Sequence, residues 1–248
     1  MKLFDTHCHF ETADPTEIAK MLERAKAAGV EKLMAVGGSA ALNETAAFAA
    51  AVAAEAVVAP EVAVALGYDR GQTAAVRRDL GGARRTAVGE IGLDYHYSAD
   101  TRDAQLKLFG EQLEEARRLG LPVTVHTRDA DEDTLAMLRE IPSRGIIHCY
   151  TGSPANAKRF LDLGFYISIS GVVTFRPAEN VRETALAVPD DRILIETDSP
   201  FLAPVPLRGT PNEPGFIGLT CEFLAKLRGT AAEDFAELTY ANAEKALG

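Results

Sequence analysis

Four of the five histidines in this 248-residue chain close short strand-like runs. His7 and His9 end Lys2-Leu3-Phe4-Asp5-Thr6-His7-Cys8-His9, His126 ends Pro122-Val123-Thr124-Val125-His126, and His148 ends Gly145-Ile146-Ile147-His148. Two carboxylates occupy equivalent places, Glu90 in Gly89-Glu90-Ile91-Gly92 and Asp198 in Ile195-Glu196-Thr197-Asp198. Side chains alternate along a strand, so Asp5, His7 and His9 share one face and two imidazoles can reach one ion together. Cys8 then points the other way, toward a helical layer, and Cys149 is out of phase with His148. Both cysteines read as small core residues rather than ligands.

Six donors exceed the roughly three or four that a single catalytic zinc takes from the protein. Two divalent ions sharing one carboxylate fit better, and Glu90, between the two histidine clusters, is the candidate bridge. Imidazole-rich sets suit Zn²⁺, Mn²⁺, Fe²⁺ or Co²⁺, whereas Mg²⁺ prefers all-oxygen sites. Zinc, manganese and magnesium all stay open as the metal.

These donors need a frame that brings distant strand ends to one rim. Apolar or β-branched runs at 2–7, 32–36, 62–66, 86–90, 122–126, 145–148, 165–169 and 192–196 read as eight strands. Between them lie amphipathic stretches at 15–28, 41–54, 72–80, 100–119, 131–141, 154–163 and 179–188, with a terminal pair at 217–227 and 231–247. Strand and helix in alternation indicate an α/β fold, a (β/α)₈ TIM barrel rather than an open sheet. His9 and Asp198 are 189 positions apart, or 27 per step over seven strand steps, close to the roughly 31 residues of an average barrel unit. Barrel enzymes place their sites at the carboxyl ends of the strands, where these donors fall.

Bulk properties agree. The length suits one domain over 1–248, and 47% hydrophobic with 25% charged residues is ordinary for a soluble protein. No apolar run spans a membrane and the start is no secretory signal, so no membrane partner is expected. Three cysteines without a CxxC point to a reducing, cytoplasmic setting and away from a disulfide scaffold or zinc ribbon. The net charge of −10 argues against wrapping nucleic acid on a broad basic face. It leaves room for gripping a few phosphates through metals and local arginines. No obligate protein partner is evident.

The ordered set Asp5-Thr6-His7-Cys8-His9, Gly89-Glu90-Ile91-Gly92-Leu93-Asp94-Tyr95, Pro122-Val123-Thr124-Val125-His126-Thr127-Arg128, Ile147-His148-Cys149-Tyr150-Thr151-Gly152 and Glu196-Thr197-Asp198-Ser199-Pro200-Phe201-Leu202-Ala203-Pro204 resembles the TatD family of metal-dependent deoxyribonucleases. The likeness runs essentially end to end and includes Ile169-Ser170-Gly171, Thr174-Phe175, Arg208-Gly209 and Asn212-Glu213-Pro214. It implies an amidohydrolase-like TIM barrel with two metals. His7, His9, Glu90 and Asp198 would hold one ion, and Glu90, His126 and His148 the other. It also implies a DNA substrate, cleaved from the 3′ end of single strands, or, as in relatives, deacylation of D-aminoacyl-tRNA.

Two segments depart from the family pattern. Gly67-Tyr68-Asp69-Arg70 replaces the usual Gly-x-His-Pro after the third strand. The C-terminal signature Asn-x-x-x-Leu-Phe-Gly is reduced to Asn242-Ala243-Glu244-Lys245-Ala246-Leu247-Gly248.

The expected chemistry is attack of a hydroxide held between two ions on a phosphodiester. Glu90 and Asp198 are the catalytic candidates: Asp198 would orient the water and take its proton, with a purely structural ligand as the alternative. Arginine offers phosphate a planar fork, which makes Arg208, Arg128 and Arg176 the substrate-binding candidates; ordinary surface arginines are the competing reading. His96, in Asp94-Tyr95-His96-Tyr97, is unassigned, and its loop reads as a packed aromatic cluster with base stacking as the alternative. Asp5 and Glu11 read as supporting groups or loop caps. Another ester or amide hydrolase with the same metal centre is the runner-up function, and a non-catalytic metal- or nucleic-acid-binding protein a third.

Overall fold

The computed structural model describes residues 1–74 and 85–248. Its strands are β1 (Leu3–Cys8), β2 (Val30–Gly38), β3 (Glu61–Tyr68), β4 (Ala87–Asp94), β5 (Val123–Arg128), β6 (Gly145–Ile147), β7 (Tyr166–Ile169) and β8 (Ile193–Ile195). They form one sheet in sequence order, each neighbouring pair parallel. The sheet curls until its first and last strands meet. Thr6 Oγ1 donates to the Ile195 carbonyl at 3.0 Å, the Asp198 amide to the His7 carbonyl at 2.9 Å, and the His9 amide to the Ser199 carbonyl at 2.8 Å. The result is the expected (β/α)₈ barrel.

The helices are α1 (Pro15–Ala27), α2 (Ala40–Glu55), α3 (Tyr95–Ser98), α4 (Arg102–Leu119), α5 (Asp131–Glu140), α6 (Pro154–Asp162), α7 (Glu179–Ala187), α8 (Ile217–Arg228) and α9 (Ala232–Leu247). Local chemistry sets several ends. Asp14 caps α1 by accepting the Thr16 amide, and Ser153 caps α6 by accepting the Asn156 amide, each just before a proline in the first turn. The helix expected at 72–80 overlaps a single 3₁₀ turn, Arg70–Gln72, and from residue 75 onward lies outside the described residues.

Two apolar clusters hold the barrel. The larger joins strand residues such as Leu3, Leu33 and Val125 to helix residues such as Leu22, Phe109 and Leu224. The smaller collects Phe4, Met34, Val36, Ala65, Ile146 and Leu194 with Ala243 and Ala246 of α9. Most of these side chains are fully buried, and burying each leucine, isoleucine or phenylalanine is worth about 1.5–3 kcal/mol. No helix of the described residues is long and apolar enough to cross a membrane.

Candidate metal centre

The six donors meet at the carboxyl rim. His7 lies in β1 and His9 just beyond it; Glu90 lies within β4 and His126 within β5. His148 directly follows β6, and Asp198 lies three residues past β8, with φ +55° turning its carboxylate back. Glu90 is placed by its glycines. A β-carbon on Gly89 would fall 2.0 Å from Thr124 Cγ2, and one on Gly92 (φ +136°) would fall 2.0 Å from the His126 carbonyl oxygen. Only glycine lets β4 approach β5 this closely.

The donor atoms form two groups. His7 Nε2 and His9 Nε2 are 3.2 Å apart, and Asp198 Oδ1 lies 3.8 and 3.6 Å from them. Glu90 Oε2 faces the same pair at 3.7 and 3.6 Å. On the other side, His126 Nδ1 and His148 Nε2 are 3.2 Å apart, and Glu90 Oε1 lies 3.5 and 3.6 Å from them. Glu90 thus turns one oxygen to each group. Tetrahedral coordination with bonds of roughly 2.0–2.2 Å places ligand atoms roughly 3.3–3.6 Å apart, so these spacings fit divalent ions.

The outer ring nitrogens support the fit. His9 Nδ1 lies 2.9 Å from the Val36 carbonyl, His148 Nδ1 3.3 Å from Glu196 Oε1, and His126 Nε2 3.2 Å from Asp94 Oδ2. Each of these partners accepts a proton, so each ring, when neutral, can direct a lone pair inward, as a metal ligand requires. His7 Nδ1 meets the Thr124 hydroxyl at 3.4 Å. Asp94 and Glu196 lie within the motifs read from sequence, but their hold on the histidines emerges only from the fold.

Electrostatics keep the acids charged. Burial raises the Glu90 pKa, yet Arg70 and His148 hold it well below the usual carboxylate range. Asp198 is depressed despite burial, chiefly by its bond to His9. Burial lowers His7 and His126. Burial also opposes charge on His148, but Glu90 and Glu196 push it up to about 10.

Asp5 lies beneath the centre. Its carboxylate accepts the Thr197 hydroxyl at 2.6 Å and the Thr197 amide at 2.9 Å, and so fixes the segment leading to Asp198. Glu11 is exposed. Arg70, which the sequence reading did not single out, ion-pairs with Glu90 Oε1. Its signal was the departure at Asp69-Arg70, where the family motif has His-Pro.

The centre opens into a cavity of about 1370 Å³ lined in part by Arg70, Tyr97, Arg128, Thr151 and Phe201. Of the three arginines expected to bind substrate, Arg128 lines this cavity, its guanidinium 4.8 Å from the Tyr97 ring centre. Arg208 lies outside the lining, 3.8 Å over the Phe175 ring, and Arg176 is exposed outside it as well. His96 Nδ1 lies 3.0 Å from Asp129 Oδ2 and its ring meets Tyr97 edge-on, an aromatic and polar loop cluster. Cys8 is a core residue as expected. Cys149 is not: φ of +44° after β6 breaks strand alternation, and the residue lines the cavity, with Sγ 3.1 Å from Ser170 Oγ.

Comparison with known proteins agrees with this fold. The family model described as TatD related DNase matches residues 4–248. The chain is 40% identical over 249 residues to the uncharacterized metal-dependent hydrolase YcfH of Escherichia coli strain K12, covering 98% of this chain and 94% of that protein. It is 35% identical over 253 residues to the uncharacterized metal-dependent hydrolase YabD of Bacillus subtilis strain 168, covering 98% of each. The crystal structure of YJJV, a TatD homolog from Escherichia coli K12, matches with a TM-score of 0.87 at 28% identity, over 99% of this chain and 97% of that one. With all the clustered donors and all but the first residue of the barrel inside the matched span, this chain belongs to the TatD family and is a metal-dependent hydrolase.

Proposed function

We propose that this hydrolase is a deoxyribonuclease that removes nucleotides from the 3′ end of single-stranded DNA with two divalent ions. The observation that carries the two-ion reading is Glu90, whose two carboxylate oxygens face separate donor pairs. His7, His9, Asp198 and Glu90 Oε2 would hold one ion; His126, His148 and Glu90 Oε1 the other. Zinc and manganese suit this imidazole-rich set better than magnesium.

Ions so held supply Lewis-acid polarisation of a phosphoryl oxygen and acidify a nearby water. The chain's own groups do the rest. Asp198 Oδ1 faces His7 and His9 and is kept ionised, so it orients the attacking water and takes its proton. Glu90 fixes the spacing of the two donor groups. Arg128, at the cavity wall, offers its fork to a phosphate.

The charge of the cavity supports a metal-gated anionic substrate. Its lining carries seven carboxylates and three arginines. A polyanion entering that surface is repelled, whereas two divalent ions would balance the difference. A wall of this kind suits a strand end reaching the centre rather than a duplex lying across a basic face.

A product time course tests the reading. End-labelled single- and double-stranded oligonucleotides are incubated with Mn²⁺, Zn²⁺ or Mg²⁺ beside a model aminoacyl ester. Stepwise shortening from the 3′ end is expected. An inert DNA panel with ester cleavage would replace this reading with the aminoacyl-hydrolase one, and oligonucleotide binding without any cleavage would favour a non-catalytic role.

A further inference from the structure

Arg70 stands one residue beyond Asp69, at the start of the 3₁₀ turn that follows β3. Asp69 Oδ1 accepts the Gly71 amide at 2.7 Å and so shapes the turn. From this turn Arg70 Nη1 reaches Glu90 Oε1. The same oxygen lies 3.5 Å from His126 Nδ1 and 3.6 Å from His148 Nε2. Glu90 Oε2, on the His7 and His9 side, is not the oxygen that Arg70 takes. The guanidinium therefore sits on one half of the donor set.

We propose that Arg70 is a tethered cation that competes with a metal ion for Glu90 Oε1 and, once displaced by that ion, binds an anionic oxygen of the substrate. The two halves of the centre are then unequal, with the His126 and His148 half the weaker. A guanidinium and a divalent ion repel at this distance, so loading that half costs the Arg70–Glu90 pair. The Arg70 side chain is only 30% exposed and lines the cavity, so its fork is left facing the space that a phosphate would enter. An incoming phosphate gives it a new partner and favours the loaded state. The second half of this inference rests on a phosphate-bearing substrate; the competition with metal does not.

The test uses the whole protein stripped of metal, as wild type, Arg70→Met and Arg70→Lys, each checked for a cooperative thermal transition. Mn²⁺ binding is followed by calorimetry and by electron paramagnetic resonance. In Arg70→Met the weaker class of Mn²⁺ site is expected to tighten about tenfold or more, with the tighter class unchanged and Arg70→Lys close to wild type. Inorganic phosphate binding to the Mn²⁺-loaded protein should weaken about tenfold in Arg70→Met and less in Arg70→Lys. An unchanged or weaker Mn²⁺ site in a folded Arg70→Met protein overturns the competition. Tighter Mn²⁺ with undiminished phosphate binding overturns the substrate contact. Should Arg70→Met not fold, the same comparison is made with Arg70→Gln. The metal readout involves no DNA, so failure of nuclease activity in wild type is separable from failure of this proposal.

Discussion

Gly89 and Thr124 meet so closely across β4 and β5 that a β-carbon on Gly89 would fall 2.0 Å from the threonine methyl and 2.9 Å from its carbonyl oxygen. Thr124 Oγ1 in turn lies 3.4 Å from His7 Nδ1, and Gly89 immediately precedes Glu90, so this approach links two candidate ligands from different strands. Gly89→Ala is expected to force the strands apart at a cost of about 1–3 kcal/mol and to weaken metal binding. Thermal unfolding and a Mn²⁺ titration check it. Wild-type values in both would show that the approach is not needed.

Glu90→Ala should abolish binding of at least one ion equivalent and hydrolysis together. Metal analysis of the purified variant beside a turnover assay is the measurement. Full activity in a variant shown to hold less metal would sink the two-ion reading.

The carboxylates behind the histidines should matter nearly as much as the ligands. Asp94→Asn and Glu196→Gln remove the acceptors that orient His126 and His148. Each is expected to lower metal affinity roughly 10–100-fold. Chelator competition reads this directly, and unchanged affinity would show that ring orientation is secured by packing alone.

Metal should stabilise the fold. An ion at about a thousand times its dissociation constant adds about 4 kcal/mol, on the order of 10 °C in Tm for a chain of this size. Scanning calorimetry with and without a chelator checks it; coincident transitions would show that the protein does not bind the added metal.

Arg128→Ala should raise KM for an oligonucleotide several-fold, with kcat and metal content little changed. Arg208→Ala is the comparison, because its guanidinium stacks on Phe175 outside the cavity lining. A larger effect at Arg208 than at Arg128 would reverse the assignment.

The barrel and the clustering of its candidate donors were legible because two periodic signals coincided. Strand-length apolar runs recur at barrel spacing, and His7, His126 and Glu90 sit within those strands. Residues past strand ends follow no such period. Cys149 was read as a core residue by alternation, but alternation fails once φ turns positive. Asp198 also has positive φ, and its place was legible from its motif rather than from strand parity. Arg70 carries no such signal for a related reason. It reaches a carboxylate twenty residues ahead from a loop, and no helix or strand period connects the two.

The seam between β1 and β8 has a consequence for biosynthesis. Donors on the Glu90, His126 and His148 side all come from the middle of the chain, whereas the other side joins His7 and His9 to Asp198, 189 positions later than His9. A nascent polypeptide would expose the middle donors before the closing strand had been translated. The first-made and last-made strands must find each other before that side is complete, so full occupancy by metal would report that the ring of strands has shut.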